Sequence, residues 1–348
     1  MPKHDRTYLL SRLLLPIVAV CAATFLLKDH SRAQQPDKPP VKLPLPSVVP
    51  APQRIVTQGL ARTVIEDLIP CANSAPAMNV RKNPVGEITA QNGTTIIVPT
   101  LNNYQKGPKL PDLYNECTGV TPKTLAEVDL SKIPIVEIDR GGEVVTGFMV
   151  ADNYFELFIN GKLVGVDALP FTPFNSHVVR FRVKKPYTIA VLAQDWEDKL
   201  GLGMEVFQGN NWHSGDAGFV AKFSDGTVTD STWKAQSYYI GPLNSPDDVI
   251  EYGNIHDTSH LGRIHPLAKL PQCQDKCYAV HYPVPPGWEQ RRFDDSKWPR
   301  AFEYLDQDVG IVGMPGYWRY PEAFMGARWI WTVNLVFDNK VLLRKTVR

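Results

Sequence analysis

The sequence predicts an all-β protein built around an antiparallel β-sandwich, with a small irregular region before it. From residue 135 onward, segments rich in aromatic and β-branched residues alternate with turn-forming dipeptides, and no long helical repeat of apolar residues separates them. The 30 prolines and 24 glycines among 348 residues also favour turns over long helices. Strands joined by turns, without helices between them, form antiparallel sheets.

The first 33 residues have the features of a secretory signal peptide. Lys3 and Arg6 give a basic start, and residues 13–27 carry no charge. This run is short for a bilayer-spanning helix, which needs about 20 apolar residues. Ser31 and Ala33 are small residues at the positions that signal peptidases require. We expect cleavage after Ala33, no membrane span in the mature chain and a secreted or periplasmic location, with an uncleaved anchor as the alternative.

Two regions precede the expected sandwich. Residues 34–53 are rich in proline and lack hydrophobic periodicity, which predicts an extended linker. Residues 54–134 are expected to form the small irregular N-terminal region, with one short helix at 60–68 and one strand at 94–99. This region is expected to pack on the sandwich that follows.

Cleavage would leave four cysteines: Cys71, Cys117, Cys273 and Cys277. An even number in an oxidising compartment favours two disulfides, and four cysteines allow three pairings. The sequence does not choose among them, although we expect local pairing, which joins Cys71 to Cys117 and Cys273 to Cys277. The spacing of the second pair is also compatible with a metal, but no further thiol pair would complete a structural zinc site.

The strands of the expected sandwich follow one another to the end of the chain. They comprise residues 143–151, 154–159, 162–166, 177–183 and 187–193, a hairpin at 219–230, and finally 328–337 and 341–346, joined through Asp338-Asn339. Asn160-Gly161 indicates a two-residue hairpin turn, because both of its central positions need φ > 0. Asp225-Gly226 marks the expected tip of the other hairpin.

Two segments resemble motifs of the galactose-binding-like β-sandwich modules that accompany many secreted glycosidases. Residues 151–162 (ADNYFELFINGK) are similar to the central hairpin of these modules, and residues 293–299 (FDDSKWP) to one of their tryptophan-bearing turns. A weaker copy of that turn occupies residues 229–235. The resemblance covers 135–348 and implies a jelly-roll fold, but both motifs are scaffold and leave the function open. Residues 247–286 interrupt the expected strand spacing and resemble a long insertion.

Candidate ligand-binding residues lie in the loops before that insertion. A sugar site needs a flat aromatic face for the C–H side of the ring, and polar groups for the hydroxyls. The predicted site comprises Asp195, Trp196, Glu197, Asn210, Trp212 and His213. The rings of Trp196 and Trp212 are expected to be exposed, whereas Trp233 and Trp298 follow Asp-Ser turns and should fold onto the sheet. The alternative is that Trp196 and Trp212 also belong to the core.

No recognised catalytic motif occurs in the sequence, which lacks a nucleophile elbow, a phosphate-binding loop and a dinucleotide fingerprint. Asp195 and Glu197 are two carboxylates, but their i, i+2 spacing crowds them together instead of placing them across a cleft. The formal net charge of +1 argues against a nucleic-acid partner. We therefore predict a binding protein without catalytic activity, whose ligand is a carbohydrate or another cell-surface component.

A histidine cluster supports a second hypothesis. His256, His260 and His265 lie inside the expected insertion and could bind copper or zinc, which imidazole ligates well. The glutamate of the HExxH motif is absent, and Gly253 and Gly262 argue against a stable helix here. The third hypothesis is a structural envelope protein without a small ligand.

Overall fold

The structure of the protein is a computed structural model that describes residues 53–68, 71, 82–100, 103–168, 175–207, 210–213, 215–264 and 271–348. These residues all fall in one structural unit, which spans residues 49–348. The predicted signal peptide at 1–33 and nearly all of the predicted linker at 34–53 lie outside the described residues.

Strands account for most of the regular structure. In chain order they are β1 (Ile55–Gln58), β2 (Arg62–Ile65), β3 (Val85–Thr89), β4 (Thr95–Val98), β5 (Asp112–Tyr114), β6 (Ile135–Glu137), β7 (Glu143–Asp152), β8 (Tyr154–Ile159), β9 (Lys162–Val166), β10 (Ser176–Val183), β11 (Tyr187–Gln194), β12 (Glu205–Phe207), β13 (Asn210–His213), β14 (Gly218–Phe223), β15 (Lys234–Leu243), β16 (Ile250–Tyr252), β17 (Ile255–Asp257), β18 (Tyr278–His281), β19 (Phe302–Tyr304), β20 (Trp329–Trp331) and β21 (Asp338–Val347). The described helices are α1 (Pro315–Trp318), α2 (Pro321–Phe324) and 3₁₀ turns at Leu125–Glu127, Leu130–Lys132, Pro246–Asp248, Ser259–Leu261 and Gln274–Lys276.

The first sheet contains seven strands in the order β1-β18-β15-β21-β11-β8-β9. All neighbouring strands in it run antiparallel. Strand β1 comes from the region 54–134, and β18 comes from the segment 247–286 that the sequence presents as an insertion. Both segments therefore contribute strands to the sandwich.

The second sheet also has seven strands. Six follow the order β19-β20-β14-β7-β10-β5, and β6 adds to β10 in parallel. Smaller sheets join β2 to β3 and β4, β12 to β13, and β16 to β17.

The two large sheets face each other across an apolar core. Phe155 on β8 packs against Phe219 on β14, with ring centres 5.5 Å apart. Phe181 on β10 packs against Tyr187 on β11, with ring centres 5.9 Å apart. Alternate residues of each strand point into this core, as expected for two half-buried sheets. The predicted all-β antiparallel sandwich is confirmed, and it holds the connecting loops at its two ends.

Both predicted turns occur at the expected residues. Asn160 and Gly161 have φ angles of 51° and 87°, and they join β8 to β9 as a two-residue turn. Gly226, with φ of 89°, closes the tip of the hairpin after β14, where the Phe223 amide donates to the Thr227 carbonyl at 2.8 Å. The return arm of this second hairpin is not a strand, because only an isolated bridge follows the tip.

The predicted helix at 60–68 is wrong. This segment contains β2, whose backbone pairs with β3. Val64 remains 41% exposed, and Ile65 is only half-buried, so the segment has no apolar stripe that a helix would bury against the protein. Pairing with β3 satisfies its backbone groups instead. The neighbouring prediction of a strand at 94–99 is confirmed by β4.

The predicted connection at Asp338-Asn339 is also wrong, because both residues lie inside β21. Strand β20 ends at Trp331 and belongs to the second sheet, whereas β21 begins at Asp338 in the first sheet. The chain crosses between the sheets in the residues between them. Asn334 stabilises this crossing, because its side-chain amide donates to the carbonyls of Thr258 and Gly262, each at 2.9 Å.

A third layer covers the outer face of the first sheet. Trp288 and Trp298 pack there with apolar residues of β8, β11, β15 and β21. Near the other end of the same face, Val85 and Tyr104 pack against Tyr154. The first sheet is therefore buried on both faces.

Both disulfides have the predicted local pairing, Cys71 with Cys117 and Cys273 with Cys277. Two disulfides indicate that the chain matures in an oxidising compartment. Among the described residues, no helix combines the length and apolar character needed to span a membrane.

Candidate functional site

The tryptophans separate into a buried set and one exposed residue. The structure describes the side chains of seven of the eight, all except Trp212. Six of these are at most 7% exposed: Trp196, Trp233, Trp288, Trp298, Trp329 and Trp331. Trp318 is 49% exposed. The predicted burial of Trp233 and Trp298 is confirmed, and Trp318 is the described tryptophan whose side chain is about half exposed.

The prediction that Trp196 is exposed is wrong. Its ring is completely buried and meets the Tyr154 ring edge-on, with centres 6.4 Å apart. The Trp196 amide donates to Asn153 Oδ1 at 2.5 Å. Trp196 follows β11 on the outer face of the first sheet, where the third layer covers it. A sugar has no access to this ring, so the residue stabilises the fold.

Glu197, another predicted ligand-binding residue, is also completely buried. Its Oε2 accepts hydrogen bonds from the amides of Leu202 and Gly203, at 3.1 Å and 2.6 Å, and from the Tyr239 hydroxyl at 2.9 Å. Burial raises the pKa of the carboxyl to about 7, although these hydrogen bonds act in the opposite direction. The side chain fixes the tight turn that follows it, and all its contacts are internal.

Of the remaining residues of the predicted ligand site, Asp195 is buried, and the side chains of the other three are not described. Asp195 is 1% exposed and forms a carboxylate cluster with Glu205 and Asp216, whose ligand oxygens lie within 4.8 Å of one another. Asn210, Trp212 and His213 belong to β13, but their side chains lie outside the described part of the structure. Carboxylate oxygens suit hard cations such as Ca²⁺, and copper or zinc prefers nitrogen or sulfur ligands. The cluster therefore does not supply the predicted copper or zinc site.

The predicted histidine ligands are described only in part. His256 is 6% exposed and lies flat on Tyr282, with ring centres 3.4 Å apart. His260 lies in the 3₁₀ turn Ser259–Leu261, and His265 lies outside the described residues. The three-histidine site therefore stays a prediction.

Exposed apolar side chains occur in a segment for which no site was predicted. Five large apolar side chains between residues 302 and 325 are more than one third exposed: Phe302, Leu305, Val312, Trp318 and Met325. They account for five of the twelve exposed large apolar residues in the described chain, although the segment is short.

Neighbouring contacts hold Trp318 in place without burying its ring. The Tyr320 hydroxyl donates to the Pro122 carbonyl at 2.5 Å, and the Arg319 guanidinium lies 4.8 Å from the centre of the Tyr114 ring. The Trp318 amide donates to the Met314 carbonyl at 2.9 Å within the first helical turn. The backbone on both sides of Trp318 is therefore fixed, which lowers the entropic cost of presenting the indole to a ligand.

The sequence analysis did not identify Trp318 as a candidate ligand-binding residue. The signal available was the pattern Pro315-Gly316-Tyr317-Trp318-Arg319, in which aromatic residues follow a helix-initiating proline outside every predicted strand. The predicted sites were chosen instead from loops rich in acidic residues and asparagine. Of the residues in those loops, Asp195, Trp196 and Glu197 proved to be buried.

The comparisons with known proteins give no match. No family model fits the chain, and neither a curated protein nor a solved structure matches it.

Proposed function

We propose that the protein is an exported, non-catalytic binding protein that recognises carbohydrate through Trp318. The observation that carries this proposal is the 49% exposure of an indole whose backbone is held on both sides. An indole face packs well against the C–H face of a sugar ring, and its rigidity limits the entropy lost on binding. The exposed side chains of Gln307 and Glu322, on the same segment, offer hydrogen bonds to hydroxyls.

Two features of the sequence support the same proposal. The signal-like residues 1–33 and the two disulfides favour export into an oxidising compartment. The hairpin at 151–162 and the turn at 293–299 resemble galactose-binding-like modules, several of which bind saccharides. Within this proposal Trp318 replaces Trp196 as the aromatic platform.

The absence of catalysis is part of the proposal and is supported by the contacts of two buried carboxyls with raised pKa values, Glu197 and Asp338. The Glu197 carboxylate accepts hydrogen bonds from two amides of the turn that follows it and from the Tyr239 hydroxyl. Burial raises the pKa of Asp338 to about 7, and its carboxyl accepts hydrogen bonds from Thr332 and Thr258. Raised pKa values of this kind also occur in glycosidases, but there the carboxyls face a substrate cleft. These two carboxyls are buried and bonded internally.

A glycan array with the mature protein tests the proposal, using the variant Trp318→Ala. The variant should lose binding and keep its melting temperature within about 2 °C, because an exposed side chain contributes little to stability. Tyr252→Ala is the matched control, since Tyr252 is also an exposed aromatic residue, at 60%, and lies on β16, outside the segment that carries Trp318. A wild type that binds no glycan, or a Trp318→Ala variant that binds as well as wild type, would contradict the proposal. The first result would favour a structural envelope protein.

A second candidate function, binding of copper or zinc, is favoured by the setting of His256. Its Nδ1 lies 2.7 Å from the Ser237 carbonyl, which places the ring proton on Nδ1. Among the described residues, Nε2 has no hydrogen-bond partner although it is buried. Burial lowers the pKa of the ring to about 4, so the imidazole is neutral, as metal binding requires.

Metal titration of the wild type and of a variant with His256, His260 and His265 all changed to alanine tests this second function. The variant should take up less copper or zinc than the wild type. Equal stoichiometry in both proteins would contradict it.

A further inference from the structure

Two Asn-Gly pairs occur in the sequence, Asn92-Gly93 and Asn160-Gly161, and each lies in a turn between two paired strands. This dipeptide is chemically labile, because glycine has no side chain to shield its amide nitrogen from the neighbouring asparagine carboxamide. Attack of that nitrogen on the carboxamide releases ammonia, and water then converts the product to aspartate or isoaspartate. The contacts around each pair decide whether the reaction can occur in the folded protein.

Asn92-Gly93 lies at an open turn tip. The pair connects β3 to β4, and residues 91–95 are all exposed. A Cβ atom added to Gly93 would meet nothing within 4 Å beyond its chain neighbours, so no other described part of the chain covers the turn. Gly93 has a φ angle of 86°, which glycine adopts without strain. Water therefore has access to both residues.

The Asn92 side chain is already folded toward the nitrogen that would attack it. Its Oδ1 accepts from the Thr94 amide at 3.0 Å, which turns the carboxamide back over the intervening Gly93 peptide unit. The reacting carbon, Cγ, carries this oxygen. The hydrogen bond therefore holds Cγ on the side of the Gly93 nitrogen, where a five-membered ring can close.

One backbone hydrogen bond opposes the reaction. The Gly93 amide donates to the Ala90 carbonyl at 2.9 Å, and the nitrogen must lose this proton before it attacks. Hydrogen bonds at exposed turn tips open at a small cost in free energy, because few buried contacts hold them. Below the tip, the Ala90 amide donates to the Thr94 carbonyl at 2.8 Å. The tip can therefore open while β3 and β4 stay paired.

Asn160-Gly161 is the same dipeptide with different contacts. Asn160 is half-buried, its amide donates to the Thr188 carbonyl, and its Oδ1 accepts from the Thr188 amide, both at 2.9 Å. The carboxamide is therefore held toward the neighbouring strand β11 and away from Gly161. Reaction at Asn160 requires that both hydrogen bonds to Thr188 open first.

We propose that Asn92 is a site of spontaneous deamidation in the folded protein, whereas Asn160 is protected. The Gly93 nitrogen loses its proton to solvent and forms a bond to Asn92 Cγ, and the carboxamide C–N bond breaks. Solvent returns the proton to the departing nitrogen, which leaves as ammonia. The succinimide that remains takes up one water at either carbonyl and opens to aspartate or isoaspartate. No electron is transferred, and water is the only co-reactant.

The modification alters a turn that is tied to the first sheet. Either product adds a negative charge at residue 92, and isoaspartate also adds a methylene group to the main chain. The adjacent Gln91 amide donates to the Val56 carbonyl of β1 at 2.9 Å. The altered turn therefore lies beside the edge strand of the first sheet, and the inference does not depend on the proposed carbohydrate function.

Incubation of the purified protein at mildly alkaline pH tests the proposal. Digestion at acidic pH, which suppresses further reaction, and peptide mass spectrometry then follow each asparagine. Asn92 should gain the mass difference between a hydroxyl and an amino group, and labelling with a protein-isoaspartate methyltransferase should detect the isoaspartate product. Asn92 should react about tenfold or more faster than Asn160, because opening the two hydrogen bonds to Thr188 adds to the barrier.

The same chain unfolded in guanidinium chloride is the matched control, because both pairs then have only their local sequence. Asn160 should accelerate on unfolding and react at a rate similar to that of Asn92. Equal rates at the two sites in the folded protein would overturn the proposal. So would an Asn92 that stays intact in the folded protein while the unfolded chain reacts.

The variant Asn92→Gln identifies the source of the isoaspartate. Glutamine would have to close a larger ring, so the folded variant should lose the methyltransferase label. Residue 92 is exposed, so the fold should be unaffected. A label that persists at the wild-type level would place the reaction at another residue and overturn the proposal.

Discussion

Glu197→Gln should change how the stability of the protein depends on pH. The glutamine keeps an oxygen that can accept from Leu202 and Gly203, and it removes the group that titrates. In the wild type, burial raises the pKa of this carboxyl from 4.5 to about 7. The protonated form is therefore favoured in the folded state.

The sign and size follow from linkage between protonation and folding. A carboxyl with a raised folded pKa stabilises the protein below its unfolded pKa, and this contribution is lost as the pH rises through the folded value. With pKa values of 4.5 unfolded and about 7 folded, the full contribution is about 3 kcal/mol at 1.36 kcal/mol per pKa unit. Most of it, about 2–3 kcal/mol, is lost between about pH 5 and pH 8.

Urea unfolding of both proteins at several pH values measures the effect. As the pH rises across that interval, the free energy of unfolding of the wild type should fall by about 2–3 kcal/mol relative to that of Glu197→Gln. His256 and His281, whose pKa values burial lowers to about 4 and about 3, affect both proteins equally and cancel in the difference. Glu322→Gln, at an exposed carboxyl, is the control. Parallel curves for wild type and Glu197→Gln would refute the reasoning.

Three further predictions concern stability and need only thermal or urea unfolding. Trp233→Ala should cost about 3–5 kcal/mol because the ring is fully buried, and a loss below about 1 kcal/mol would contradict its place in the core. Gly226→Val and Gly161→Val should each cost about 1–2 kcal/mol from their positive φ, because the Gln290 amide that a side chain at residue 161 would meet is the end of an exposed side chain and can turn away; a variant as stable as the wild type would contradict the turn at that residue. Opening the disulfide of Cys117 should cost about 4 kcal/mol, twice the effect at Cys277, since its loop spans 46 residues instead of 4; the reverse order would contradict this.

The sequence was sufficient to predict the main strands because their signals are local. Alternating apolar residues and the Asn160-Gly161 turn locate β7 to β11 within a few residues. The connection between the last two segments was predicted wrongly, because the chain leaves the second sheet after β20 and enters the first sheet with β21. A crossing stabilised by distant carbonyls, as at Asn334, leaves no local pattern.

The candidate site was harder to predict because exposure depends on what covers each residue. Trp196 has polar neighbours in sequence, yet residues more than 80 positions earlier cover it, as Tyr104 does through Tyr154. Trp318 has aromatic neighbours that suggest a core, yet Tyr320 takes the buried position and leaves the indole outside. The composition of a loop therefore indicated neither its burial nor its access to ligand.

The third layer determines where the chain can be shortened. A form that starts after residue 104 would lose the cover over Tyr154 and Trp196, and would leave β18 as an unpaired edge without β1. Bare aromatic surface and an open strand edge both promote self-association. Proteolytic products that lack residues 53–104 should aggregate, so a recombinant form of the folded unit should begin at residue 53 or earlier.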